Sequence, residues 1–259
     1  MTKTILALGK SGPVMNAIVN ELLSAGNHVS IVGCPERNAI SQPSLVKTVG
    51  ICSVRDLILN GSFETIFINL YGEPSTAENR LIQQAIKCAA NKKNITFLIL
   101  RRAGRNNSIE LSNPDNQHSC KFAVIISSFI FEDLLLSSFK TNVHLSRELL
   151  AGSYGISASD IGRQIDKAIK MKNQFNGITY FVQGPEKIDL NEVTAKTRNH
   201  LRVVKKPSLQ VRNLFQALTR IRCIAFFMRN PVKAFHIDKE WNELGKPQIS
   251  FDGFLNKIA

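Results

Sequence analysis

A four-residue apolar run broken by a glycine turn and resumed at helical spacing limits this chain more than any other stretch. Ile5, Leu6, Ala7 and Leu8 show no polar alternation, the pattern of a strand buried on both faces. Gly9-Lys10-Ser11-Gly12 interrupts them, and Val14, Ile18, Leu22 and Leu23 then recur along one helical face. Strand, glycine turn and helix open a nucleotide-binding βαβ unit. Gly9 takes backbone angles closed to side chains, and Gly12 lets the main chain approach a phosphate. The amides at the helix start, with the positive end of its dipole, favour a pyrophosphate by about 0.3–2 kcal/mol. Gly26-Asn27-His28 ends the helix, and Val29 to Val32 follows as a second strand. A purely structural strand-to-helix turn uses the same glycines and stays open as the alternative.

At 259 residues and 44% apolar content the chain can bury a large core. No run of 18 apolar residues occurs, so no membrane-spanning helix is expected. Met1-Thr2-Lys3 leads straight into the first strand, which leaves no room for a signal peptide. Cys34, Cys52, Cys88, Cys120 and Cys223 are odd in number and scattered, as in a reduced cytoplasmic protein rather than a disulfide framework. His118 and Cys120 lack the partners a metal site needs, so no metal is expected. The net charge of +13 is concentrated: residues 196–239 carry eleven Lys or Arg against Asp238 alone. A local basic surface suits an anionic partner, whether substrate, nucleic acid or membrane headgroups.

Ser53 to Leu59 reads as a short helix, Thr65 to Leu70 as a buried strand ending at Tyr71-Gly72, and Ala77 to Asn91 as a helix. Ile95 to Leu100 and Phe122 to Ile126 are further strands, the last ending at Ser127-Ser128. Alternating buried strands and helices predict an α/β protein with a doubly wound, Rossmann-like parallel sheet. Its ligands are expected at the carboxyl ends of the strands, at Gly9, Gly33, Tyr71 and Arg101. An acid where the second strand ends would bind a free ribose hydroxyl. Gly33 stands there instead, with Lys10 and Arg37 as the nearby cations, which tilts the expectation toward NADP(H) over NAD(H). Both cations also read as ordinary solvated charges.

Ser157 with Asp160 reads as a helix cap, and Asp189 with Glu192 as a capping-box arrangement. Gly184-Pro185-Glu186 reads as a turn. Leu209 to Arg229 is an amphipathic helix, with Val211, Leu214, Leu218, Ile221 and Ala225 on its stripe. Core packing is the simplest use of that stripe, and a membrane-surface or partner-binding helix is the alternative. No nucleic-acid motif accompanies the charge, which argues against that partner; Phe226, Phe227 and Trp241 read as packing residues.

Several of these segments, in order, resemble the NmrA-like NAD(P)-binding group of atypical short-chain dehydrogenases/reductases. Gly9-Lys10-Ser11-Gly12-Pro13-Val14-Met15 stands where the family shows Gly-x-x-Gly-x-x-Gly, and Phe122 to Leu136 is similar to its YTILRPGFFMENLL segment. Ser157 to Ile161 looks like its SVDDIA helix start. Gly177 to Tyr180, Gly184 to Glu186 and Leu190 to Val193 are similar to its GKTYTLTGPEALSLAEVA stretch. Leu244 to Pro247 with Ser250 to Phe254 looks like its GRPPRTFEEF ending. The resemblance implies a dinucleotide-binding core over residues 1–136 and a C-terminal substrate or cap region over 137–259, packed as one globular unit. It implies a pyrophosphate at Gly9, Lys10, Ser11, Gly12, Pro13 and Val14, and a nicotinamide near Tyr71, Gly72, Arg101 and Ser127, Ser128 and Phe129.

The chain departs from that pattern in four places. Met15 replaces the third glycine, whose role is close helix-to-strand packing. Arg101-Arg102 stands in place of serines, Ser127-Ser128-Phe129 in place of Arg-Pro-Gly, and Gly33 in place of a basic residue. No Tyr-x-x-x-Lys pair exists: Tyr71, Tyr154 and Tyr180 are followed four residues on by Ser75, Ala158 and Gly184. The usual proton route of short-chain reductases is therefore missing, and no catalytic residue is assigned. Two functions follow. One is an NAD(P)H-dependent oxidoreductase acting on a small organic, quinone-like acceptor that needs little protonation. The other is a non-catalytic, dinucleotide-binding regulator that meets a protein partner through the basic C-terminal face.

Overall fold

A computed structural model of the chain describes residues 3–32, 46–49, 54–61, 63–72, 74–90, 95–103, 121–127, 129–132, 153–171, 177–188, 190–197 and 237–258. Gly33, Arg37, Ser128, Asp189, the 104–120 connection and the 209–229 stripe lie outside the described residues. In chain order the elements are β1 (Thr4–Gly9), α1 (Pro13–Ser24), β2 (His28–Val32), β3 (Val46–Val49), α2 (Val54–Asn60), β4 (Thr65–Leu70) and α3 (Thr76–Ala90). There follow β5 (Thr96–Arg102), β6 (Lys121–Ser127), β7 (Ser153–Tyr154), α4 (Ala158–Lys170), β8 (Ile178–Val182), β9 (Lys187–Ile188), α5 (Leu190–Thr197), α6 (Ile237–Leu244) and α7 (Phe251–Ile258).

Seven strands form one parallel sheet in the order β3-β2-β1-β4-β5-β6-β8. Strand order reverses between β1 and β4, which opens a crevice at their carboxyl ends. The expected α/β, doubly wound architecture is therefore the observed one. Its centre is uninterrupted apolar sequence because both faces are covered. Ile5, Ala7, Phe67, Leu98, Leu100, Ala123 and Ile125 meet the helices α1 and α4. Leu6, Leu8, Ile66, Ile68, Phe97 and Ile99 meet α2 and α3 on the other side. The sheet crosses the boundary expected at residue 136, because β8 hydrogen-bonds along β6 through Ala123–Ser127 and Ile178–Val182.

Helices α1 and α4 pack closely at Gly162, where an added Cβ would stand 2.7 Å from the Glu21 Cβ. Asn27, buried beyond the end of α1, donates from Nδ2 to Leu22 O (3.0 Å) and to Asp166 Oδ1 on α4 (2.7 Å). A second apolar cluster lies apart from the sheet: Phe129, Phe131, Ile188, Val193, Ile249, Phe251, Phe254 and Leu255. It gathers residues after β6, the antiparallel β7–β9 pair, α5 and the C-terminal helix. At its edge the backbone passes so closely that a Cβ on Gly184 would sit 1.6 Å from Gly155 O. Only glycine fits there.

Candidate functional site at the carboxyl ends of the strands

The β1–α1 turn is held from the neighbouring strand. Gly9 has φ of +107°, and a Cβ there would lie 2.3 Å from Asn69 O, so the turn closes directly onto β4. Lys10 N donates to Asn69 O (3.0 Å), and Asn69 Nδ2 donates back to Lys10 O (2.8 Å). Asn69 Oδ1 also accepts from Tyr71 N (3.2 Å). This buried amide is thus the post around which the turn is built. It escapes a sequence reading because it sits inside an apolar strand and acts only through the Gly9–Asn69 register.

Gly12 occupies the N-cap of α1 with φ of +133°, a conformation L side chains rarely adopt, and Pro13 follows in the first turn. The first helical bond runs from Asn16 N to Gly12 O (2.9 Å). The amides of Gly12, Val14 and Met15 therefore lie ahead of it at the helix end. Among the described residues no side chain caps this end, and the first turn contains no acid. Ser11 and Lys10 are exposed beside it, and the Lys10 stem passes 3.0 Å from where a Gly72 Cβ would be. Met15, read as a departure from the resembled glycine pattern, is 2% exposed and belongs to the core cluster that α1 joins. Amides, a positive dipole end and a neighbouring cation make a fitting receptor for a diphosphate.

Along the carboxyl edge the other expected residues divide. Tyr71 stands beside the crevice, yet its ring is buried and its hydroxyl accepts from Ile130 N (2.9 Å). It braces the end of β4 against the segment after β6. Phe129 follows β6 as expected, but its ring packs on Phe131, with centroids 6.1 Å apart, inside the C-terminal cluster. Alternation along β5 puts Arg101 on the face of Phe97 and Ile99, opposite α1. Arg102, not Arg101, shares the face of α1, with its guanidinium 5.2 Å from the Tyr71 ring centroid. Ser127 is on that face too, paired in register with Arg102; its Oγ is buried and has no hydrogen-bond partner.

The C-terminal motifs resolve into an anchoring system. Ser157 is the N-cap of α4, accepting from Ser159 N (3.2 Å), as its sequence context implies. Glu132 accepts from Ser157 Oγ (2.9 Å) and Ala158 N (2.8 Å) at the same helix end. Asp160, in the first turn, reaches further: it accepts from Gln248 N and Ile249 N (2.9 Å each) and pairs with Arg163. Glu186, read as a turn residue, accepts from Phe251 N at the start of α7. Tyr180 donates to Glu243 Oε2 (3.0 Å); burial, then that carboxylate, push its phenol well above the ordinary tyrosine range. Trp241 packs under Lys246, whose Nζ is 5.1 Å from the ring centroid. Among the described residues no group of three His, Cys, Asp or Glu side chains could hold a metal, and no helix is long and apolar enough to cross a membrane.

No protein-family model and no curated protein matches the chain. Solved structures do. A nucleoside-diphosphate-sugar epimerase from Staphylococcus aureus superposes with a TM-score of 0.63 at 15% identity, covering 98% of this chain and 99% of that one. UDP-glucose 4-epimerase from Bifidobacterium longum, in complex with NAD+ and UDP, gives 0.63 at 12% identity over 98% and 96% of the two chains. The Bordetella bronchiseptica enzyme WbmH, in complex with NAD+, gives 0.56 at 14% identity over 80% and 85%. At such identities the likeness is one of fold: the chain has the Rossmann-like architecture of these enzymes.

Proposed function

We propose that the chain binds a nicotinamide dinucleotide through the β1–α1 turn and is an oxidoreductase of the NmrA-like group, working in the cytoplasm on a small organic substrate. The observation that carries this is the uncapped start of α1, set behind Gly9 and Gly12 at the point where strand order reverses. Gly12, Val14 and Met15 would bind the diphosphate by their amides, with Lys10 as a counter-charge. Lys10 and Arg37 support NADP(H) over NAD(H). Bound there, a reduced nicotinamide would supply a hydride. The chain lacks the usual proton relay: none of Tyr71, Tyr154 and Tyr180 has a lysine four residues on, and the Tyr180 hydroxyl already donates to Glu243. The acceptor is therefore one that needs little protonation from the protein, such as a quinone or another activated double bond.

The same missing tyrosine–lysine pair favours a second reading, a non-catalytic dinucleotide sensor that binds a protein partner through residues 196–239. Calorimetric titration with NADPH and NADH tests the shared premise, with one site per chain and tighter NADPH binding expected. Failure of both to associate at millimolar concentration overturns it. NADPH oxidation across a quinone panel then separates enzyme from sensor. Turnover supports the first reading; cofactor binding without turnover, with a protein partner whose affinity differs between NADP+ and NADPH, supports the second.

A further inference from the structure

We propose that the groove between α2 and α3 is a docking surface for an acidic segment of a partner protein, anchored by an apolar side chain over Leu59. It lies on the side of the sheet away from α1 and does not depend on the dinucleotide reading. The pattern of α3 sets it up. Leu81, Ile82, Ala85 and Ala89 are buried against the sheet. Thr76, Asn79, Arg80, Gln83, Gln84 and Lys87 recur at spacings of three and four, one exposed face over about three turns. Helix α2 brings Arg55 and Leu59, four residues apart, to the same place. Together the two helices line a groove of about 720 Å³. From Thr76 to Cys88 it runs about 18 Å, at about 1.5 Å per residue.

Charge and exposure together say what fits. Among the described residues the groove is lined by three cations, Arg55, Arg80 and Lys87, and by no acid. No ion pair among those residues engages any of the three. The acids of the two helices stand elsewhere: Glu78 closes the start of α3 by accepting from Ser75 N (2.6 Å), and Asp56 lies outside the lining. Leu59, 40% exposed, is the one exposed large hydrophobic among the described residues, and it lies in this groove. Arg80 and Lys87 are about 10.5 Å apart along α3, too far for one small anion to meet both backbones' side chains at their base, yet the separation of carboxylates seven residues apart on a helix. Carboxylates so spaced, with an apolar residue between them, complement the cations and Leu59 at once. A nucleic acid would leave Leu59 uncovered and finds no aromatic ring in the lining on which to stack. A second copy docked by the same patch would set cation against cation.

Random dodecapeptides displayed on phage are selected on the full chain and depleted on a variant combining Arg55→Glu, Arg80→Glu and Lys87→Glu. Depletion removes peptides held by the basic 196–239 segment, which the variant retains. The three positions are exposed, so the variant's melting temperature should stay within about 4 °C of wild type. Surviving peptides should carry several Asp or Glu with a large apolar residue, and should weaken as salt is raised. Their affinity should fall about tenfold or more on the charge reversal and about threefold when the same positions become Gln, a milder variant that serves if the reversal disturbs folding. Leu59→Ser should cost about fivefold, a loss that charge attraction alone would not produce. Survivors that are neutral or basic, no survivors at all, or indifference to Leu59→Ser overturns the inference. So does a single-stranded oligothymidylate that binds tighter than the peptides and is lost on the charge reversal, or a dimer of this chain that the reversal dissociates in sedimentation. Dinucleotide titration reads the other side of the sheet, so its outcome leaves this one standing or falling by itself.

Discussion

Helices α1 and α4 are neighbours of nearly equal length, 12 and 13 residues, packed against the same sheet face, yet their N-termini are finished in opposite ways. The start of α4 is closed by Ser157, by the Glu132 carboxylate and by Asp160 in its first turn. The start of α1 has a glycine cap without a side-chain bond and no acid in its first turn. The chain is thus able to satisfy a helix end from within, and does so where the end is structural. Among the described residues nothing caps the start of α1, the end proposed above to receive the diphosphate. Pro13 sharpens the contrast, because it fixes the first turn of α1 without adding a donor or a charge.

Breaking the closed end should cost most. Glu132→Ala removes a buried carboxylate that accepts from both Ser157 Oγ and Ala158 N, leaving the Ser157 hydroxyl proton and the Ala158 amide without an acceptor, and should lower unfolding free energy by roughly 3 kcal/mol. Urea denaturation measures it. Affinity for NADPH should stay within about twofold, since the open end is untouched. An equal loss of cofactor affinity would mean that the two ends are not separate devices.

Next comes the reach of α4 toward the C-terminus. Asp160→Asn keeps the shape but gives up the charge and one of two acceptors for the Gln248 and Ile249 amides, a loss of about 2 kcal/mol. Hydrogen exchange at those two amides should accelerate well before the sheet amides do, because residues 248–258 would loosen as a unit. Uniform acceleration throughout the sheet would show instead that this segment opens only with the whole domain.

How much of this contrast the sequence reveals depends on how far apart the partners lie. The strands β1, β4 and β5 are legible because burial on both faces leaves continuous apolar runs, and β2 and β6 because short apolar stretches stand where the alternation of strand and helix expects them. The glycine turn is legible because its conformational demand is local. Strand β3, Val46-Lys47-Thr48-Val49, is not: four residues with a lysine at a sheet edge carry no period of their own. Ser157 reads correctly as a cap, since its partner is two residues away. Asp160 and Glu186 read only as cap and turn residues, because the amides they bind lie 88 or 89 and 65 positions further on. The motifs that resemble the NmrA-like group in the C-terminal half thus include Asp160, Glu186 and Phe251, while Gln248 and Ile249, which Asp160 binds, lie between two of those motifs. Tyr71 and Phe129 are placed at the right strand ends, but the direction of a ring is set by what packs over it, and sequence spacing does not carry that.

The open end is tested by closing it. Pro13→Glu puts an acid into the first turn of α1 without entering the core, since position 13 is only partly buried. The carboxylate gains about 0.3–1 kcal/mol from the dipole and offsets the loss of the proline's fixed backbone, so stability should change little. A diphosphate would then meet a charge of its own sign at the amides it needs, and NADPH affinity should fall by about tenfold or more. Unchanged affinity would place the dinucleotide elsewhere and leave the uncapped end of α1 without a ligand to explain it.

The smallest effect is the most diagnostic of how the closed end works. Ser157→Ala removes an N-cap hydroxyl that accepts from Ser159 N and donates to Glu132, a change usually worth about 1 kcal/mol. Glu132 would keep its bond from Ala158 N, so the helix end would stay partly satisfied. In the double variant Ser157→Ala with Glu132→Ala, the losses should sum to less than the two single values, because the Ser157–Glu132 bond is counted in each. Strict additivity would mean that the hydroxyl and the carboxylate act on α4 independently. Sub-additivity would establish one linked cap, the arrangement that α1 lacks and that a bound diphosphate would supply in its place.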